Sequence, residues 1–194
     1  MSITSDVRFW DRSSRRYAKS SIADPNGYER TVERTRAYLQ PGDSVLELGC
    51  GTGTTALRLA DGVRSYLATD ISGGMIAIAE EKLAVESIPA LSFRTATAEE
   101  LVHEENRFDA VLGFNYLHLV RDVPGTLRSI HVLLKPGGLF ISKTPCLGDM
   151  NPLIRLVLLP AMQVIGKAPH VSSLGASALE RLIIGAGFDV VVRE

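Results

Sequence analysis

Short runs rich in Val, Ile, Leu and Phe recur along this chain, and segments whose apolar residues fall at helical spacing lie between them. The runs predict strands at 45–48, 66–69, 91–94, 110–112, 139–142 and 189–192. Helices are predicted over 54–60, 74–85 and 176–184. The clearest helix lies between the fourth and fifth strands, where Val123, Thr126, Leu127, Ile130, Leu133 and Leu134 share one face. Lys135-Pro136-Gly137-Gly138 then stops it. Residues 7–39 read as two helices broken at Asp24-Pro25-Asn26-Gly27, lying outside the sheet. Strand and helix in alternation predict an α/β protein with a mostly parallel sheet flanked by helices.

With 194 residues and 45% apolar content the chain can bury one sizeable core, so a single domain spanning 1–194 is expected. Twenty-one basic against 22 acidic residues leave a net charge of -1, which gives nucleic acid no electrostatic reason to bind. Cys50 and Cys146 lie far apart without metal-type spacing, so no metal site is expected and a reducing, cytoplasmic setting fits. The first residues lack the apolar core of a signal peptide, and no window reaches the roughly 20 apolar residues of a transmembrane segment.

The chemistry concentrates in Val45-Leu-Glu-Leu-Gly-Cys-Gly-Thr-Gly-Thr-Thr-Ala56, a strand running through three alternating glycines into a helix. Glycines at 49, 51 and 53 let the backbone turn tightly and let a ligand touch main-chain atoms. Asp70 ends the next strand, at the distance where nucleotide-binding sheets place an acid on ribose hydroxyls. Gly51-Thr-Gly53-Thr-Thr-Ala56 also satisfies a dinucleotide fingerprint, so a nicotinamide enzyme competes on these residues alone. Against it, Glu47 sets a carboxylate just before the turn, repelling a pyrophosphate and welcoming a cationic sulfonium or ammonium group. No tyrosine has a lysine four residues later, so the common short-chain dehydrogenase pair is missing.

Glu47-Leu-Gly-Cys-Gly-Thr-Gly53 resembles motif I of the class I S-adenosylmethionine-dependent methyltransferases. Leu67-Ala-Thr-Asp70-Ile-Ser-Gly-Gly-Met75, Phe108-Asp-Ala-Val-Leu-Gly-Phe-Asn-Tyr-Leu-His118 and Leu133-Leu-Lys-Pro-Gly-Gly-Leu-Phe140 resemble the family's second, fourth and fifth strand motifs, in order and spacing. The chain is most similar in type to small-molecule members such as those of ubiquinone and menaquinone biosynthesis. The resemblance implies a Rossmann-like, doubly wound sheet, with an N-terminal helical cap (1–40), a cofactor-binding core (41–145) and a cover for the acceptor site (146–175). It implies S-adenosylmethionine as cofactor, its methionine near Gly49, Cys50 and Gly51, its ribose on Asp70 and its adenine between Ile71 and Ala98, with Met75 lining the pocket. Where the family often has an acid for the adenine amino group this chain has Thr97, with Glu99 close by. Phe114 and Asn115 fall where the family meets both cofactor and acceptor, and Trp10 and Tyr17 resemble a helix that closes over the cofactor.

The activity implied is methyl transfer by in-line displacement to a small, lipophilic acceptor. Positioning at about 3 Å is worth on the order of 7 kcal/mol, so a strong base is required only for some acceptors. His118 is the candidate for that role, beside a purely structural reading. Cys50 reads as a redox-sensitive thiol or, more blandly, a small apolar filler. Arg12, Arg15, Arg16 and Lys19 read as a solvated helix face or as a contact for an anionic acceptor or peripheral membrane surface. The apolar stretch 151–165 reads as a lid for a lipophilic acceptor or as one more core helix. Family members usually end in an antiparallel hairpin, whereas here one strand, 189–192, precedes Glu194. The hairpin is expected to be incomplete, leaving an edge that another segment fills or that invites self-association, so a monomer and a homodimer both stay open. Two alternatives stay open: a catalytically inactive S-adenosylmethionine-binding module and a nicotinamide-dependent oxidoreductase.

Overall fold

The computed structural model describes residues 3–146, 148 and 168–193. Strands β1 (Ser44–Leu48), β2 (Ser65–Asp70), β3 (Leu91–Thr95), β4 (Phe108–Phe114) and β5 (Leu134–Lys143) form one parallel sheet in the order β3-β2-β1-β4-β5. Helices α1 (Ile3–Ala18), α2 (Pro25–Tyr38), α3 (Ala56–Leu59), α4 (Gly73–Glu86), α5 (Ala98–Leu101), α6 (Val123–Leu133) and α7 (Ala176–Gly185) surround it, with a 3-10 turn at Ala60–Gly62. The strand order reverses between β1 and β4, which makes the sheet doubly wound. A crevice therefore opens at the carboxyl ends of those two strands.

The strand β1 is the spine because both of its faces are covered. Val45 packs on one side with Val32 of α2, Leu59 of α3 and Ile76 of α4. Leu46 and Leu48 pack on the other with Leu101 of α5, Leu127 and Ile130 of α6 and Leu179 of α7. Truncating Leu46 to alanine in such a site costs about 2–5 kcal/mol. Continuous apolar character, not alternation, is what a strand buried on two faces requires.

Local chemistry sets most helix starts. Asp24 accepts from the Gly27 amide (2.9 Å) and Asp122 from the Gly125 amide (2.9 Å), each ahead of a proline in the first turn. The expected break at 24–27 is thus the cap and first turn of α2. Ser72 caps α4 by accepting from the Met75 amide (3.1 Å). The short helix α5 was not expected, although Thr97 and Glu100 form a reciprocal capping box at its start.

Two expectations change, and a third falls outside the described residues. The strand β5 begins at Leu134, directly after α6, because the Lys135–Gly138 stretch carries an irregularity in the ladder and does not stand outside it. Residues 189–192 form no strand. A strand needs a partner ladder, and these residues have none among those described: Val190, Val191 and Val192 stay exposed, while Phe188 packs by its ring against His131 and Phe140. The proposed lid at 151–165 lies outside the described residues.

Candidate active site

At the crevice the sheet opens into a cavity of about 1090 Å³. Ligand sites are commonly about 300–1,000 Å³, so there is room for more than one small molecule. Tyr17, Glu47, Gly49, Cys50, Gly51, Asp70, Ile71, Met75, Thr97, Glu99, Phe114, Asn115 and His118 all line it. Ala98 does not: it is wholly buried under α5 in the core with Leu101.

Strand ends supply the floor. The Asp70 carboxylate accepts from the Gly51 amide (3.0 Å) with one oxygen and from the Ser72 amide (2.9 Å) with the other, tying the glycine turn to the start of α4. Burial raises its pKa, and these two amide bonds oppose the rise. Glu47 is 3% exposed and accepts from the Tyr66 hydroxyl (2.8 Å). Burial is the largest cause that pushes its pKa to about 7, against that hydrogen bond, with the nearby Asp70 charge adding to the rise. The carboxyl therefore holds its proton far more readily than a free glutamate and is not the fixed charge the sequence suggested. A cation placed beside it would restore the ionised form.

The glycines divide their duties. At Gly49 (φ +68°) a Cβ would stand 2.6 Å from Tyr116 Cδ2, and at Gly53 (φ +74°) 2.6 Å from Phe93 Cζ. Both are needed for packing. Gly51 meets only Tyr17, at 3.7 Å, and is the glycine that leaves the cavity open. Cys50 is buried with its thiol pKa raised well above the ordinary value, first by burial and then by Glu47 and Asp70, so it stays protonated. That favours the filler role over a reactive one.

Across the cavity, Thr97 spends its hydroxyl as a cap, accepting from the Glu100 amide (3.3 Å). Glu99 accepts from the Thr126 hydroxyl (2.6 Å). Asn115 has φ +52°, and its amide donates to the Lys143 carbonyl (2.7 Å), which fixes an uncommon backbone at the end of β4. His118 is partly buried with its pKa lowered by desolvation, and its Nδ1 is buried with no hydrogen-bond partner.

The roof is α1. Trp10 and Tyr17 line the cavity and meet edge to face at 6.1 Å. The Tyr17 pKa is raised by burial and by the Asp70 charge, and its ring reaches over the glycine turn at Gly51. Two polar contacts that the sequence reading missed hold the helix down. Arg121, past β4, donates to both oxygens of Asp6 (2.7 and 2.9 Å), and both residues line the cavity. Asp11 accepts from the Ser72 hydroxyl (2.6 Å) and the Gly74 amide (3.1 Å). Among the described residues no group of three or more His, Cys, Asp or Glu is placed to hold a metal ion, and no helix is long and apolar enough to cross a membrane.

A family model described as a methyltransferase domain matches residues 15–192. The chain belongs to that family. Its members are S-adenosylmethionine-dependent, and the five-stranded sheet is the class I fold. The chain is 31% identical over 201 residues to the mitochondrial arginine-hydroxylase NDUFAF5 of Danio rerio, covering 95% of this chain and 60% of that protein. It is 32% identical over 126 residues to a demethylmenaquinone methyltransferase of Symbiobacterium thermophilum, covering 63% of this chain and 49% of the other. The chain thus spans about half to three-fifths of the length of these relatives. Among solved structures, a DhpI–SAM–HEP complex superposes with a TM-score of 0.72 at 17% identity, covering 95% of this chain and 88% of that one. The YcgJ protein of Bacillus subtilis gives 0.70 at 20% identity, over 81% and 68%. At those identities the likeness is one of fold.

Proposed function

We propose that this domain transfers a methyl group from S-adenosylmethionine to a small, lipophilic acceptor. The observation that carries the reading is the cavity itself: a floor with one buried and one partly buried carboxyl group at the ends of β1 and β2, and more volume than a single small ligand fills. The residues fit a cationic nucleoside. Glu47 is a buried acid with no cation beside it among the described residues, Asp70 stands where ribose hydroxyls would be accepted, and Gly51 leaves the main chain open.

When bound, S-adenosylmethionine supplies a sulfonium methyl that an acceptor lone pair displaces in line, leaving a neutral thioether. Glu47 favours the cationic ligand over the neutral product, because its carboxylate gains from a positive neighbour. Phe114 and Asn115 line the cavity with Trp10 and Tyr17 of the roof, and a bound ligand would be held between them. His118 holds no strong base in this arrangement. Its imidazolium would carry an Nδ1–H buried without an acceptor, so the neutral Nε2–H form is favoured, and that N–H orients an acceptor oxygen.

Trp10, Leu119, Val120 and Val171 contribute apolar side chains to the cavity lining beside Asp6, Arg121 and His118, which supports an acceptor with a lipophilic body and a polar group. The demethylmenaquinone methyltransferase relative points the same way. The division into cap (1–40), core (41–145) and acceptor cover (146–175), action as a monomer or homodimer, and a cytoplasmic setting belong to the same reading. Two unpaired cysteines support the last of these. An inactive binding module and a nicotinamide enzyme are not favoured by the family match. The arginine-hydroxylase relative makes turnover the decisive readout. Incubation with S-adenosylmethionine and a panel of quinols, phenols and lipids should release S-adenosylhomocysteine in an acceptor-dependent manner. Release with no member of the panel, by a chain that binds the cofactor, would favour the inactive module.

A further inference from the structure

We propose that the methyl acceptor carries a carboxylate and that Lys143 holds it at the β5 end of the cavity. The proposal deepens the methyl-transfer reading and rests on it. In spatial order across the sheet, the carboxyl ends of the strands present Asp70 on β2, Glu47 on β1, Phe114 and Asn115 at the end of β4, and Lys143 on β5. All of them line the cavity, whose wall thus runs from acid through neutral to base. Register fixes the face they share. Glu47 pairs with Leu112, Leu112 pairs with Ile141, and Lys143 lies two residues beyond Ile141. Glu47 and Lys143 therefore stand on the same face of the sheet, the one that α2 covers. Two strand spacings of about 4.8 Å, and two residues of about 3.3 Å along the strand, separate their backbones by about 12 Å. The Asn115 amide donates to the Lys143 carbonyl (2.7 Å), which ties this position to the end of β4.

The charge of Lys143 is uncommitted. Among the described residues that line the cavity the only other lysine or arginine is Arg121, and both oxygens of Asp6 engage it. The Lys143 ammonium donates to the Gly27 carbonyl (3.3 Å) and to the Thr31 hydroxyl (3.0 Å), both neutral. No carboxylate pairs with it among the described residues. The acid of the neighbouring cap, Asp24, is spent on the Gly27 amide. Two of the three N–H donors are thus taken, and the third is left together with the charge. A tether for the start of α2 accounts for the two hydrogen bonds but not for an uncompensated cation at a cavity wall. An acceptor carboxylate supplies the missing anion by displacing water from this exposed amino group, and the two neutral contacts hold the group in place before it arrives. The gradient also orders the two ligands. A cationic cofactor at the acid end and an anionic acceptor at the basic end each find a counter-charge and attract one another, whereas a cationic acceptor would be repelled by both Lys143 and the sulfonium.

The test reads binding, apart from turnover. The full chain loaded with S-adenosylhomocysteine is titrated, by ligand-observed NMR, with benzoate, phenylacetate and octanoate, each against its primary amide. At least one carboxylate should bind on the order of tenfold more tightly than its amide. Lys143→Met, which keeps the length of the side chain, should remove that preference and leave S-adenosylhomocysteine affinity unchanged, while Lys143→Arg should retain it. In the wild type the bound carboxylate should slow acetylation of Lys143 and not of Lys19 or Lys135, a measurement that needs no variant to fold. A wild type that binds S-adenosylhomocysteine but shows no carboxylate preference and no protection of Lys143, or a folded Lys143→Met chain that keeps the preference, would overturn the proposal and leave methyl transfer standing. Failure of the wild type to bind S-adenosylhomocysteine would overturn the cofactor reading and this proposal with it.

Discussion

The floor and the roof of the cavity are built on opposite principles. The floor comes from the ends of buried strands, where Glu47 and Asp70 are held against their own burial by one tyrosyl hydroxyl and two backbone amides. The roof is a single helix, polar on its outer side, fastened through Asp6 to Arg121 and through Asp11 to the start of α4. Acids held in place by hydrogen bonds suit a surface that must be ready before the ligand arrives. A few polar fastenings suit a cover that must be crossed by ligand and product. The floor therefore governs cofactor affinity, and the roof governs access.

The largest effect expected is at the floor. Asp70→Ala should weaken S-adenosylhomocysteine binding on the order of a thousandfold, from two charge-assisted hydrogen bonds to ribose of about 2 kcal/mol each. Titration calorimetry reads this directly, and circular dichroism checks that the chain remains folded.

Glu47 should show the conflict between stability and function. Its folded pKa, about 7, lies above the unfolded value near 4.5. The unfolded chain therefore loses this proton first, and stability falls as pH rises between those values. Glu47→Gln should stabilise the protein by up to about 3 kcal/mol at pH 8 and by little at pH 4 in urea melts, while reducing affinity for the sulfonium form. An equal gain at both pH values would remove the buried-acid account of the floor.

At the roof, Asp6→Asn should cost about 2 kcal/mol, less than a fully buried pair because the Arg121 side chain is 31% exposed. Amide exchange should quicken first in α1, with cofactor affinity falling only severalfold. Loss of protection across β1 as well would mean that the roof and floor are one cooperative unit. The smallest effect is expected at His118. His118→Ala should lower turnover by about tenfold or less through lost orientation, whereas loss of a general base would cost about 10²–10⁴-fold.

What could be read from sequence was what lies close together along the chain. The strand, glycine turn and Asp70 fall within 26 consecutive residues from Val45 to Asp70, and their hydrophobic and glycine pattern placed them at the cavity. The contact between Asp6 and Arg121 joins residues 115 apart, and nothing local in either segment announces it. The raised pKa of Glu47 likewise comes from burial between both faces of the sheet, against the hydrogen bond from Tyr66 of the adjacent strand. The short helix α5 was legible in principle, through the threonine and glutamate of its capping box, but its four residues carry no helical periodicity. The terminal valines misled for the opposite reason: β-branched residues favour a strand only when another strand stands beside them.

Calorimetric titration of the wild-type chain with S-adenosylmethionine and S-adenosylhomocysteine, repeated on folded Asp70→Ala, tests the central claim most directly. The account predicts binding of about micromolar strength by the wild type that disappears in the variant. A folded wild-type chain that binds neither ligand, or a variant that binds as well as the wild type, would contradict it.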